Sequence, residues 1–191
     1  MSKLVLLLTL TFLYLQGHSQ EEKQIRARKI VSISSRVESV QKDKRFIEYV
    51  TTQYDKKGRE LSVFRFNSDS ICVEAEYFEY NRKGRTTMHT VIDSVKHQTT
   101  VTKQQYDRWN HLAEKQIHTN GLLQERITYS YNNLDDKTGE AHYDEKGELK
   151  KQTFYSYDSR GMLTKKQTLN AKGEVIYEKN NQYDYWRQSI A

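Results

Sequence analysis

Two tryptophans are the residues in this sequence whose type and placement best suit binding chemistry. Trp109 and Trp186 occupy the same place in two similar segments, Tyr106-Asp-Arg-Trp109 and Tyr183-Asp-Tyr-Trp186. An indole outside a core covers an apolar surface, docks onto a partner or accepts a cation against its face. We therefore expect these rings either to stack on a sugar or, as the alternative, to contact a neighbouring arginine.

Basic residues accompany the tryptophans in segments that recur along the chain. A strip of positive charge attracts anionic partners such as an acidic glycan, lipopolysaccharide or nucleic acid. The alternative is that charged hairpin tips keep the protein soluble and discourage association through sheet edges. The predicted ligand-binding rim comprises Trp109, Trp186, Lys56, Lys57, Arg59, Arg82, Lys83, Arg85 and Arg108, and Arg160 and Arg187 continue it.

The residue types of catalysis and metal binding occur without the spacing that those functions need. No histidine lies in an HExxH or comparable metal-ligand pattern. Glu74 and Glu76 would share a strand face, but glycoside hydrolysis requires two carboxylates across a cleft. The segment from Asp144 to Glu148 is too short for a calcium loop and is interrupted by Lys146. The sequence predicts no enzyme, no metal site and no cofactor.

The elements that must position these residues are copies of a short turn motif. Tyr54, Tyr80 and Tyr106 lie 26 residues apart, and a second set of turns lies between such copies. Asp or Asn at the first turn position accepts backbone N–H bonds, and glycine at the fourth accepts a positive φ. The predicted turn residues are Tyr54, Asp55, Gly58, Tyr80, Asn81, Gly84, Tyr106, Asp107, Tyr143, Asp144, Gly147, Tyr157, Asp158, Gly161, Gly173, Tyr183 and Asp184.

The spacing of the turns predicts the fold. Further turns are expected near Phe66, Ile92 and His118, and one more at Gln41–Lys44. The stretches between turns are rich in β-formers and have normal strand lengths, and the chain contains no proline. We predict an all-β fold, an antiparallel meander of about twelve strands in an open twisted or partly coiled sheet. No segment beyond the N-terminal leader shows a convincing helical period.

These residues resemble the YD or Rhs repeat family, whose pattern is a tyrosine-aspartate turn followed by glycine. The resemblance covers roughly residues 45–185. It implies β-hairpin strips, which in large toxins and cell-surface proteins coil into a hollow shell or serve as an adhesion scaffold. This chain is too short to build a closed shell alone, and no segment after Tyr183 could be a toxin. Only the scaffold role is therefore expected to carry over.

The N-terminal residues predict export. Lys3, the apolar run Leu4–Leu15 and the small residues of Gly17-His18-Ser19 are typical of a signal peptide. The chain then divides into a signal peptide (1–20), a charged N-terminal segment (21–28) and a YD-like β-hairpin repeat domain (29–191). No cysteine follows the leader at the cleavage site, so a lipoprotein is not expected. The single cysteine, Cys72, excludes an intramolecular disulfide. The mature protein is expected in the periplasm or extracellular space, without a membrane span.

These observations favour a non-enzymatic binding or scaffold module of the cell envelope or extracellular space. Its expected partner is an anionic glycan, contacted through the basic turn rim, or an envelope protein. The alternative is a structural component of a larger secretion or toxin-related assembly, pairing through sheet edge strands. Export argues against nucleic acid, and no recognition motif supports it.

Overall fold

The computed structural model describes residues 21–41 and 44–184, and over that part the chain is nearly all β. The strands follow one another in a meander whose sheet order is the chain order, with antiparallel neighbours. The predicted all-β meander of about twelve strands is confirmed. The strands are β1 (Ser32–Gln41), β2 (Lys44–Tyr54), β3 (Glu60–Phe66), β4 (Cys72–Tyr80), β5 (Thr86–Asp93), β6 (Gln98–Tyr106), β7 (Leu112–Thr119), β8 (Leu122–Tyr131), β9 (Lys137–Tyr143), β10 (Leu149–Tyr157), β11 (Leu163–Asn170) and β12 (Val175–Asn180).

One turn geometry recurs between these strands. In the β2–β3 turn, Asp55 Oδ1 accepts the backbone N–H groups of Lys57 (2.8 Å) and Arg59 (3.0 Å). The fourth turn residue, Gly58, has a φ of 84°. The turns that begin at Asn67, Asn81, Asp107, Asn132, Asp144, Asp158 and Asn170 repeat this pattern. The predicted roles of the first and fourth turn positions are confirmed.

Other predicted connections differ in detail. The β7–β8 hairpin uses the two residues Asn120 and Gly121, whose φ angles are 49° and 83°. Positive φ at both central residues is typical of a type I′ turn, which suits the twist of a tight hairpin. For the turn predicted at Gln41–Lys44, the register pairs Gln41 with Lys44. Residues 42–43 of that turn lie outside the described part of the chain.

The motif tyrosines tie successive repeats together through their hydroxyl groups. Tyr80 donates to the carbonyl oxygen of Glu60 (2.8 Å), and Tyr157 donates to that of Lys137 (2.8 Å). Tyr131 and Tyr183 make the equivalent bonds, to the carbonyls of Leu112 and Leu163. In each case the acceptor is the first residue of the strand that follows the preceding turn at the same sheet edge. The tyrosine therefore satisfies a strand-end carbonyl about twenty residues upstream as well as covering its neighbours.

The described residues divide into two compact units, one ending at Thr99 and one beginning at Thr100. In the first unit, Val63 (6% exposed) and Ala75 (8%) are the buried apolar residues of the sheet. In the second unit, Ile127 is buried, and the buried Thr153 and Thr168 hydroxyls share a hydrogen bond of 3.0 Å. Such thin cores leave strand hydrogen bonding and half-buried aromatic contacts as the main sources of stability.

A short helix over residues 21–27, α1, precedes the sheet. It is not among the sequence predictions, because seven residues are too few to establish a helical period. The helix ends where Lys29 adopts a φ of 54°, with bonds from Lys29 N to Arg26 O (3.2 Å) and from Ile30 N to Ile25 O (2.9 Å). This pattern is a Schellman cap. Within the described residues, no helix has the length and apolar character needed to cross a membrane.

The helix is held against the β2–β3 turn. Ile25 is only 3% exposed, and a Cβ placed on Gly58 would lie 2.4 Å from the carbonyl oxygen of Glu22. The helix backbone therefore occupies the space in which any other residue at position 58 would carry its side chain. The turn glycine serves the turn conformation and the helix contact together.

Candidate functional site

The turns β6–β7 and β8–β9 enclose a cavity of about 370 Å³ in the second unit, the Trp109 pocket. Both turns lie at the same edge of the meander, because β7 and β8 run out from that edge and return to it. Trp109 and His111 come from the first turn, and Asn133 and Asp135 come from the second. Tyr131, at the end of β8, lines the cavity between them. Two copies of the motif thus build one site.

His111 links the two turns. Its imidazole stacks on the ring of Tyr131 with centroids 4.6 Å apart and an interplanar angle of 24°. Nδ1 lies 3.2 Å from Asp107 Oδ2 in its own turn, and Nε2 lies 3.1 Å from Asp135 Oδ1 in the neighbouring turn. A ring held on one face and at both nitrogens gives the pocket a defined wall.

Trp109 is the most exposed aromatic residue of the pocket, at 63%. Its backbone N–H bonds to Asp107 Oδ1 (2.9 Å), and Asn110 takes the positive-φ position that glycine fills in other copies, with a φ of 75°. The guanidinium carbon of Arg108 lies 3.9 Å from the indole centroid. The predicted arginine contact is therefore present, and the indole lines the cavity at the same time.

The pocket is rich in hydrogen-bond acceptors. Burial is the largest influence on the pKa of Asp107 and raises it, but bonds from the His111 backbone and ring and the Trp109 N–H together hold that pKa below its ordinary value. Burial raises the pKa of Tyr131, whose hydroxyl donates to the Leu112 carbonyl (3.1 Å). The Asp135 side chain is 75% exposed. Carboxylates beside aromatic rings suit a ligand that donates hydroxyl protons.

The predicted basic rim is not uniform. In the first unit, the turns 55–59 and 81–85 hold six cations and a single acid, Asp55. In the second unit, the turns 107–111, 132–136 and 158–162 hold two cations and four acids. The exposed basic residues of these two first-unit turns are Lys56, Lys57, Arg82, Lys83 and Arg85. Positive charge is thus concentrated in the first unit, whereas the second unit carries the aromatic pocket.

Arg59 differs from the other basic residues of the rim. Its Nε donates to Asp55 Oδ2 (2.8 Å), and its guanidinium carbon lies 4.2 Å from the centroid of the Tyr80 ring. The side chain is 18% exposed. We infer a structural role for Arg59, because its charge is already paired and its planar face is covered.

The remaining predicted residues are less informative about binding. Trp186 and Arg187 lie outside the described residues. Glu74 and Glu76 both contact Arg65, at 3.5 and 3.0 Å, and Glu76 also lies 2.8 Å from His89 Nε2. These carboxylates are therefore engaged in ion pairs on the sheet surface.

Sequence reasoning missed His111, Tyr131 and Asp135 as members of one site. His111 lies in no metal-ligand pattern, and the turn after Tyr131 lacks the glycine of the regular motif copies. The interval of 25 residues between Tyr106 and Tyr131 could have indicated this site, because it places the turns that follow the two tyrosines side by side at one edge of the sheet.

No protein-family model matches the chain, and no curated protein matches it. Among solved structures, a porin-like protein from Bacteroides uniformis aligns with a TM-score of 0.37 and 14% identity, over 78% of this chain and 58% of that protein. TarM aligns with a TM-score of 0.24 and 11% identity, over 91% of this chain and 24% of TarM. The chain thus spans less than two thirds of either protein. Likenesses this low carry no argument about function, and the resemblance to YD repeats stays a prediction.

Proposed function

We propose that this protein is an exported, non-enzymatic glycan-binding module and that the Trp109 pocket holds a sugar residue. The proposal rests on one observation: an exposed indole, a stacked His111–Tyr131 pair and two carboxylates line the same open cavity. A sugar presents an apolar C–H face and a periphery of hydroxyl donors. An aromatic surface bordered by a few polar groups is complementary to both.

The charges of the pocket define the kind of sugar. Asp107 and Asp135 flank His111 at 3.2 and 3.1 Å, so an anionic group placed there would meet like charges. The pocket therefore favours the hydroxyl groups of a neutral sugar residue. Acidic groups elsewhere on an envelope polysaccharide would be attracted by the basic turns of the first unit, through long-range electrostatics. This refines the sequence hypothesis, which assigned the sugar and the charge to a single rim.

Two further observations support a binding role outside the cytoplasm. The signal peptide predicted for residues 1–20 would direct the chain to export. The carboxylates that most resembled a catalytic pair, Glu74 and Glu76, are engaged by Arg65. A scaffold of repeated hairpins with one polar-aromatic pocket accords with a module that holds a ligand without transforming it.

The decisive experiment is retention of the purified protein on envelope polysaccharides and on heparin, at low and at moderate salt. Trp109→Ala should abolish retention on a polysaccharide with neutral sugars. Leu134→Ala is the matched control, because Leu134 is 77% exposed in the adjoining turn and does not line the cavity. Equal retention of both variants would contradict the pocket assignment. If salt abolishes retention but Trp109→Ala does not, the protein binds the polysaccharide only by cation exchange.

A second function is favoured by the last strand. All six residues of β12 are exposed, including Val175 (53%), Ile176 (59%) and Tyr177 (47%), and β12 comes last in the sheet order. An exposed apolar edge is suited to pairing with a strand of another protein. Such pairing should tolerate salt and should be lost in Ile176→Lys. Glycan retention that survives this substitution would separate the two functions.

A further inference from the structure

We propose a second ligand site in the first unit, between helix α1 and the β2–β3 turn, for a single-chain anionic amphiphile of the fatty-acid type. The cavity there measures about 430 Å³, within the range of about 300–1,000 Å³ usual for small-molecule sites. Its apolar lining comes from Ile25, Ile30, Val31 and the ring of Tyr54. This site is independent of the glycan pocket, which belongs to the other unit.

The charges around this cavity select an anion. Arg26, Lys29 and Lys56 line it and are exposed, and no ion pair of the described residues involves them. The one carboxylate of the lining, Asp55, is bonded to Arg59 Nε (2.8 Å) and to two backbone N–H groups. Among the residues that line the cavity, three exposed cations therefore accompany one carboxylate that is already bonded.

The combination of an apolar lining and cationic side chains is the complement of a fatty acid. The methylene chain would bury against the isoleucines, the valine and the tyrosine ring, which gives the larger part of the binding free energy. The lysine and arginine stems would extend along the apolar chain while their heads reach the carboxylate. A sugar or a nucleotide would leave the apolar lining uncovered.

The structure preforms this cavity. The Schellman cap at Lys29 turns the chain after α1, and Tyr54 N donates to Val31 O (3.0 Å), which holds the following segment beside β2. On the helix side, the contact between Glu22 and Gly58 holds α1 close to the turn. Because the walls are held before a ligand arrives, little ordering opposes binding.

The test is binding of hexadecanoate to the full purified chain, by displacement of a fluorescent fatty acid at concentrations below micelle formation. Wild type should bind saturably with one ligand per chain. Lys29→Glu with Lys56→Glu should weaken binding about tenfold, since two favourable ion contacts become repulsive. Val31→Asp should also weaken it, because a charge would enter the apolar lining at a residue that is 73% exposed.

The matched control is Lys23→Glu with Lys57→Glu. It makes the same change in net charge, with one lysine in α1 and one in the β2–β3 turn, at exposed positions that do not line the cavity. Its affinity should stay within about twofold of wild type, as expected for residues outside the contact. Equal weakening of the two double variants would overturn the proposal, and so would the absence of saturable binding by wild type. Binding of hexadecanol or a cationic amphiphile as tight as that of hexadecanoate would also refute it.

Discussion

Replacing Gly58 by alanine tests whether α1 is docked on the β2–β3 turn as the structure shows. The added Cβ would lie 2.4 Å from Glu22 O, 3.2 Å from Glu22 C and 3.3 Å from Arg26 N. All three are backbone atoms, so no side chain can rotate to make room. Either the turn or the helix must move, and we expect the helix to move because the turn is fixed by its own hydrogen bonds, from Gly58 N to Asp55 O and from the Lys57 and Arg59 N–H groups to Asp55 Oδ1.

The magnitude follows from two separate costs. Alanine at a φ of 84° carries the left-handed penalty of about 1–2 kcal/mol. Reduced freedom of the unfolded chain offsets about 0.4–1 kcal/mol of that penalty. Displacing the helix then re-exposes Ile25, now 3% exposed, whose burial contributes at most about 1.5–3 kcal/mol. We therefore expect Gly58→Ala to destabilise the protein by up to about 1.5–3 kcal/mol more than the turn penalty alone.

Gly84→Ala isolates the turn penalty. Gly84 has the same φ of 84° in the same unit, and the nearest atom to its added Cβ, Arg59 Nη1, lies at 3.7 Å, an ordinary van der Waals distance. The free energies of unfolding of both variants are measured in urea, and release of α1 is followed by trypsin cleavage at Lys23 and Arg26. Equal destabilisation of the two variants, with no gain in cleavage at the helix, would refute the docking of α1.

Three further predictions concern the contacts around Tyr80. Tyr80→Phe should cost about 1 kcal/mol in urea denaturation, since the Glu60 carbonyl loses its hydroxyl donor, and an unchanged stability would contradict this role. Arg59→Lys should cost about 1 kcal/mol, because lysine lacks the fork that pairs with Asp55 and the planar face that covers Tyr80. The same change at the exposed Arg85, the equivalent residue of the next copy, should be nearly neutral. Burial, followed by the charge of Glu60, raises the pKa of Tyr80 from 10.0 to about 12. The folded protein holds this proton more tightly than the unfolded chain, so stability should fall as pH rises from about 10 to about 12. Urea midpoints across that range should fall less steeply in Tyr80→Phe, and identical slopes would contradict the shift.

Much of the fold was predictable because its determinants act within five residues. Asp55 and Gly58, and their counterparts in later copies, make their turns through bonds inside the turn itself. Turns at regular intervals leave strands of regular length, and short antiparallel connections place consecutive strands side by side. The number of strands and the order of the strands in the meander therefore follow from the local pattern.

The candidate sites were less predictable because they depend on residues distant in the chain. His111 and Asp135 are 24 positions apart, and each is an ordinary turn residue until the two turns meet at one sheet edge. In the sequence, Arg59 and Arg85 occupy the same motif position, yet Arg59 is held by Asp55 and Tyr80 whereas Arg85 is exposed.

The sequence by itself determined where the chain turns and how many strands it forms, because turn chemistry is local. Only the tertiary structure decided that a seven-residue helix packs on Gly58 and that Trp109 borders a cavity. These features arise when segments that are distant in the chain meet. Their contacts depend on shape and distance, and neither can be read from residue type or from the interval of the repeat.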